Sequence, residues 1–171
     1  MLDIGCGRRK APGAIGLDAS PLSDADVRAR LDIFPWPFRA ESFAEIRAIH
    51  IIEHLPDLIG VMREMHRLCR PGGRVVIETP YFSSFKSWAD PTHVHHLTLG
   101  SMDYFMEAQQ RFGFAYTRPL FRLAEKRLSF GKNLWSLAPR AIYGLSPRLY
   151  EERFAYIFPG RTLHFTLERL P

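Results

Sequence analysis

The amino-acid sequence predicts an α/β fold, a doubly wound and mostly parallel sheet that ends in an antiparallel hairpin. Three observations predict it. The chain opens on MLDIGCGRRKAPGAIGLD, where an apolar run with an acid (Leu2, Asp3, Ile4) meets a glycine pair (Gly5, Gly7) and a second apolar run ends in another acid, Asp18. Strand, glycine turn, strand, acid is the layout of a nucleoside-binding site at the edge of an α/β sheet. A helical pattern followed by the tight turn Arg70-Pro71-Gly72-Gly73 and the buried run RVVIETP reads as one repeat of a parallel sheet. LHFTLERL then alternates strictly, with Leu163, Phe165 and Leu167 on one face and His164, Thr166 and Glu168 on the other, as a closing antiparallel strand does.

In chain order, strands are expected at 1–4, 14–18, 26–31, 44–50, 73–79, within 119–130, and at 162–169. The segment between Asp3 and Asp18 contains Pro12 and Gly13 and is too short for a full helix and a second strand, so this crossover is expected to be a loop or a single turn. The clearest helix is 57–69, where Leu58, Val61, Met62, Met65 and Leu68 recur at helical spacing and Pro71-Gly72-Gly73 stops it. A second helix, about 102–111, follows a cap at Ser101. A third covers about 147–157, with Pro147 in its first turn after Ser146.

The 171 residues suit one domain, 1–171, with a helical and aromatic insertion at about 132–160. Hydrophobic content of 46% with 24% charged residues is that of an ordinary globular chain. No apolar run approaches the roughly 18 residues of a membrane span. No secretory signal is visible, and Cys6 and Cys69 form no CxxC, which together suggest a reducing, cytoplasmic setting. Residues 112–171 hold ten Lys/Arg against four Asp/Glu, so the net charge of +5 sits in the C-terminal third. Such a region attracts an anionic substrate, RNA or an anionic surface, or is simply a solvated face.

The blocks LDIGCG, IGLD, LDIFPWPF with ESFAEI, HIIEHLPD and RPGGRVVIETP stand in the order seen in class I S-adenosylmethionine-dependent methyltransferases, and the chain most resembles their type-11-like subgroup. The resemblance covers roughly residues 1–80 and implies a Rossmann-like sheet, S-adenosyl-L-methionine as cofactor and S-adenosyl-L-homocysteine as product. Gly5 and Gly7 would let the backbone pass close to the cofactor, where a Cβ would clash. Asp3 would organise the loop and the methionine amino end, with Cys6 in the turn beside it. Asp18, followed by Ala19, would accept from the ribose hydroxyls, or else be a turn acid. Asp32 would accept from the adenine amino group with Ile33 flanking the ring, or belong to a packed apolar loop. His50 would end the fourth strand next to the methyl-transfer position, whereas Glu53 and His54 read mainly as structural. The shortened crossover would leave Arg8, Arg9 and Lys10 near the methionine carboxylate. The chain starts on its first strand, so reduced N-terminal helices are expected, with residues 81–98 or the insertion closing the site.

Residues 88–98, WADPTHVHHLT, place His93, His95 and His96 just after Asp90. A metal site and turn and capping polarity are two readings of these residues, and the resemblance implies a third, an acceptor-binding loop after the fifth strand. The acceptor loop is adopted and no metal is assigned. Tyr81, Phe82 and Trp88 would wall the acceptor pocket with His95 and His96, and His50 and His93 are the candidate general bases. The expected function is methyl transfer by SN2 displacement to a small-molecule acceptor. The alternatives are a non-catalytic cofactor-binding scaffold and, behind it, an RNA methyltransferase, since the Asn-Pro-Pro-Tyr type of signature is absent after the fourth strand. The aromatic insertion reads as packing before the last strand, or as a lid, a homodimer surface, or a lipid- or RNA-facing patch.

Overall fold

In the computed structural model, which describes residues 1–106 and 119–171, seven strands form one sheet in the order β3-β2-β1-β4-β5-β7-β6. The strands are β1 (Leu2–Ile4), β2 (Ile15–Asp18), β3 (Val27–Arg28), β4 (Phe43–Ile49), β5 (Cys69–Pro80), β6 (Phe121–Leu128) and β7 (Thr162–Arg169). The first five pair in parallel, and β7 pairs antiparallel with both β5 and β6. The mostly parallel sheet with an antiparallel end is therefore as the sequence predicts. In β7 the predicted inward face is buried, with Leu163, Phe165 and Leu167 at 0, 1 and 0% exposed.

Helix α1 (Leu58–Leu68) packs Val61, Met62, Met65 and Leu68 into the core. Asp57 caps it, its Oδ1 accepting from the Gly60 N–H at 2.8 Å. Asp57→Ala is expected to cost about 1 kcal/mol of stability, measured by denaturant unfolding. The buried Glu64 accepts from the Trp36 N–H at 2.7 Å and pairs with Arg67 at 2.6 Å, and Arg67 donates to the carbonyls of Trp36 and Phe38. These bonds sew the PWPF loop to the helix, so Trp36 is a core residue at 1% exposed.

The first crossover contains no helix. It is held by polar bonds: Asp26 accepts from the Gly16 N–H at 2.7 Å and from Lys10 at 2.8 Å. Strands β4 and β5 are buried on one face only. Val75, Ile77 and Thr79 are at 0% exposure while Arg74 is exposed and Glu78 half-buried, so RVVIETP is not buried throughout as expected.

Several predicted elements differ. The strand expected at 26–31 shrinks to Val27–Arg28, because Asp26 is bound to the crossover and Arg30 to Asp32. Arg70-Pro71-Gly72-Gly73 is no separate turn but an irregularity inside β5: Cys69 pairs with Phe43 and Arg74 already with Glu45. The helix expected at 102–111 is, over 102–106, a 3-10 turn at Asp103–Phe105 followed by a bridge from Met106 to Phe121. Ser101 does not cap it; its hydroxyl accepts backward from the Thr98 N–H at 2.9 Å. Residues 107–111 of that expectation lie outside the described residues. After α2 (Phe85–Ala89), the insertion holds α3 (Leu137–Leu145) and α4 (Pro147–Leu149), which widens into a π turn at Tyr150–Phe154. As expected, Pro147 starts that last segment, with the Ser146 hydroxyl accepting from the Leu149 N–H at 3.2 Å. Among the described residues, no helix is long and apolar enough to cross a membrane.

Candidate functional site

Three neighbouring cavities lie along the chain's chemistry-bearing loops. The first is built on the glycine turn after β1. The Gly5 N–H donates to the Leu17 carbonyl at 2.8 Å, and Gly5 and Gly7 adopt φ of +64° and +51°. That left-handed region strains any residue with a Cβ. Asp3, 5% exposed, accepts from the Ala11 N–H at 2.8 Å and so holds the crossover loop over the strand end. Asp18 accepts from the Gly7 N–H at 2.8 Å through one oxygen and from the Ser20 N–H at 2.7 Å through the other. A cavity of about 570 Å³ opens here, walled by Asp3, Gly5, Gly7, Arg9, Arg47 and His50. Arg8 and Lys10 also line it, so it is strongly cationic. Lys10 is committed to Asp26 at 2.8 Å, whereas Arg9 and Arg47 form no ion pair among the described residues. Cys6 is buried, and burial with the nearby Asp18 charge pushes its thiol up to about 11, so it stays protonated.

Four expected donor-site residues, Asp18, Ala19, Asp32 and Ile33, are outside the lining of this cavity. Asp32 is bound by Arg30 through two contacts of 3.0 and 2.6 Å, and Ile33 is exposed; neither is in the lining. Ala19 is exposed beside Asp18.

The second cavity, about 560 Å³, is a cleft at the C-terminal ends of β4 and β5, lined by His50, Glu53, His54, Lys86, Asp90 and His93. His50 lines both cavities. Its backbone has φ of +54°, the left-handed region that non-glycine residues adopt uncommonly. Its Nδ1 lies 3.4 Å from Glu53 Oε1, and donating toward that carboxylate holds the imidazolium above its usual pKa, against the opposing effect of burial. Glu53 is 1% exposed; its Oε2 accepts from the Thr79 hydroxyl at 3.1 Å, and its Oε1 has no hydrogen bond of ordinary geometry. His54 Nδ1 is 2.9 Å from the Thr92 hydroxyl, and His93 Nδ1 is 3.0 Å from the Ser87 carbonyl. The two bonds from Thr92 hold Asp90 below the usual carboxylate range.

The residues expected to wall an acceptor pocket are not in this cleft. Tyr81 is in the core at 0% exposure, its hydroxyl donating to Glu151 at 3.2 Å and its ring stacked on Tyr150. It ties the sheet to the insertion, and burial pushes its hydroxyl pKa up. Phe82 packs edge-on against Tyr81 and Tyr156. Trp88 stacks on His96 at 3.5 Å and donates to the Phe82 carbonyl, and His96 contacts the Ser87 hydroxyl at 2.9 Å. His95 Nε2 meets the carbonyls of Leu55 and Pro56. His95 and His96 thus bind the loop to its neighbours, and only His93 of the three turns into the cleft. Conversely, Glu53, His54 and Lys86 line the cleft. The signal that could have found Glu53 is an acid set in the apolar run HIIEHL at a strand's end.

The third cavity, about 860 Å³, lies beyond Lys86, which lines both it and the cleft. Phe130 follows β6, the insertion supplies Lys132, Trp135 and Ile157, and Arg161 precedes β7. It combines exposed apolar rings with three cations.

Comparison with known proteins bears on this arrangement. The profile of a family described as a methyltransferase domain matches residues 1–118. A segment of 46 residues is 48% identical to Methyltransferase GfsG of Streptomyces halstedii; it is 27% of this chain and spans only 16% of that protein's length. An S-adenosylmethionine-dependent methyltransferase structure from Mesorhizobium loti is similar with a TM-score of 0.62 at 19% identity, covering 98% of this chain and 89% of that one. A SAM-dependent methyltransferase structure from Archaeoglobus fulgidus is similar with a TM-score of 0.64 at 18% identity, covering 98% and 84%. At these identities the two structures speak to the fold alone.

Proposed function

The chain belongs to the methyltransferase-domain family of class I S-adenosylmethionine-dependent enzymes, and from that premise we propose that it methylates a small-molecule acceptor carrying an anionic group. The observation that carries the reading is the shared wall: His50 lines both the glycine-turn cavity and the histidine cleft, so a donor in one faces an acceptor in the other.

The residues fit the cofactor. Gly5 and Gly7 present no Cβ, and nothing lies within 4 Å of where one would stand at Gly7. Asp18 uses one lone pair on each oxygen for backbone N–H groups and keeps others for ribose hydroxyls. Arg9 and Arg47 offer charge for the methionine carboxylate, with Arg8 and Lys10 on the same wall. Asp32 serves the adenine only if its pair with Arg30 opens. When bound, S-adenosyl-L-methionine supplies an already activated methyl group, leaving S-adenosyl-L-homocysteine as product. The chain's task is then alignment and, for an acceptor that must lose a proton, a base. His50 is that base in this reading, with His93 the second candidate. Lys86, Lys132 and Arg161 would hold the acceptor's anionic end against the aromatic wall of the third cavity.

The test is calorimetry with S-adenosylhomocysteine, followed by methyl transfer to hydroxylated acceptors with and without a carboxylate or phosphate. Absence of cofactor binding by the folded chain overturns the reading. Asp18→Ala is expected to weaken S-adenosylhomocysteine about 30-fold, the loss of about 2 kcal/mol for hydrogen bonds to a charged group. Unchanged affinity in that variant would remove Asp18 from the ribose site.

A further inference from the structure

We propose that Glu53, His54 and His93 bind one divalent transition-metal ion on the wall of the histidine cleft. Their candidate ligand atoms all lie within 4.8 Å of one another. Ligands about 2.1 Å from a tetrahedral ion are about 3.4 Å apart, so modest side-chain rotations complete the set.

The hydrogen bonds set the tautomers. The Ser87 carbonyl can only accept, so His93 Nδ1 carries the proton and donates to it at 3.0 Å. The Thr92 hydroxyl donates to Asp90 Oδ1 at 2.6 Å, so toward His54 it must accept, and His54 Nδ1 carries the proton. In the neutral rings, both Nε2 atoms therefore bear bare lone pairs. The two imidazoles meet edge to face with centroids 4.6 Å apart. Beside them sits the carboxylate of Glu53, 1% exposed, whose Oε1 has no hydrogen bond of ordinary geometry and lies 3.4 Å from His50 Nδ1. Two neutral imidazoles and a buried carboxylate set this close together repel. A cation turns that repulsion into coordination.

The surroundings match those of metal-bound histidines, whose second nitrogen donates to a carbonyl or is oriented by a carboxylate. Ser87 does this for His93, and Asp90 does it through Thr92 for His54. Two imidazoles and one carboxylate select zinc, iron(II), cobalt(II) or nickel(II) over magnesium or calcium, which prefer all-oxygen shells. Three protein ligands leave a coordination position open toward the cleft they line. An acceptor oxygen is the ligand that position would take, an extension that rests on the methyl-transfer reading; the metal site itself does not. His93 then serves as a ligand, and His50 keeps the base role alone.

The experiment is titration of the chelator-stripped chain with cobalt(II) and zinc(II), read by ligand-field absorption and by metal retained after gel filtration. One equivalent is expected to bind. His54→Gln, His93→Gln and Glu53→Gln should each weaken it at least about 10-fold, and Thr92→Val, which removes only an outer partner, about 10-fold. His164→Gln, on β7 and paired with Glu78, should leave it unchanged. Absence of stoichiometric metal in the folded chain, or full binding in a His54→Gln, His93→Gln double variant, overturns the site. S-adenosylhomocysteine calorimetry on the same samples separates the two readings. Donor binding without metal sinks only the metal site; metal without donor binding sinks only the methyl-transfer reading.

Discussion

His50→Gly is expected to lower methyl-transfer turnover about 100-fold, the usual contribution of a positioned general base. Glycine is the informative replacement because the backbone here has φ of +54°, which glycine adopts without strain. The variant therefore removes the imidazole and leaves the strand end in place, where the His50 N–H donates to the Glu78 carbonyl at 2.8 Å. Turnover should recover in part when free imidazole is added, while the thermal midpoint stays close to that of the parent chain. Turnover equal to the parent's would remove His50 from the chemistry. A loss that imidazole does not rescue, accompanied by weaker S-adenosylhomocysteine binding, would make it a wall of the donor cavity instead.

Gly5→Ala is expected to destabilise the fold by about 2–4 kcal/mol and to abolish measurable donor binding. Two effects add. The φ of +64° is unfavourable for alanine, and its Cβ would be driven into the side chain of Ile51, which packs against the core. Relief requires the glycine turn to move, and with it the Gly5 N–H bond to Leu17. Gly7→Ala is the control: its φ of +51° carries the backbone cost, but nothing lies within 4 Å of the added Cβ. It should lose only about 1 kcal/mol. Denaturant unfolding of both variants checks the contrast; equal losses would mean that contact with Ile51 contributes nothing.

These predictions differ in how far the sequence alone supports them. Gly5, Gly7, Asp3 and Asp18 are legible because their chemistry is local. The turn, the acid beneath it and the acid after the next strand are close in sequence, and each finds its partner within a few residues or one crossover. The missing crossover helix is equally legible, since it is a matter of chain length and Pro12-Gly13. The acceptor side is not. Tyr81 and His95 have the right chemistry and the right neighbourhood in sequence. Tyr81 is nonetheless drawn into the core by Tyr150 and Glu151, about seventy positions away, and His95 is held by the carbonyls of Leu55 and Pro56. Glu53 reads as a helix-start acid until Thr79 is seen holding its second oxygen and burial is seen isolating the first.

The positions of most strands along the chain, the mostly parallel sheet with its antiparallel end, the buried face of α1 and the glycine turn after β1 were determined by the sequence itself. Periodicity, glycine placement and chain length act on neighbouring residues and need no knowledge of the rest. Which histidine faces the cleft, which nitrogen carries its proton, and which carboxylate is left without a hydrogen bond were decided only by the tertiary structure. For Glu53 and His54 those properties depend on hydrogen bonds and burial between segments 25 to 40 positions apart, with Thr79 and Thr92, and for His93 on how the loop turns it back onto the Ser87 carbonyl. No local pattern in the chain encodes them.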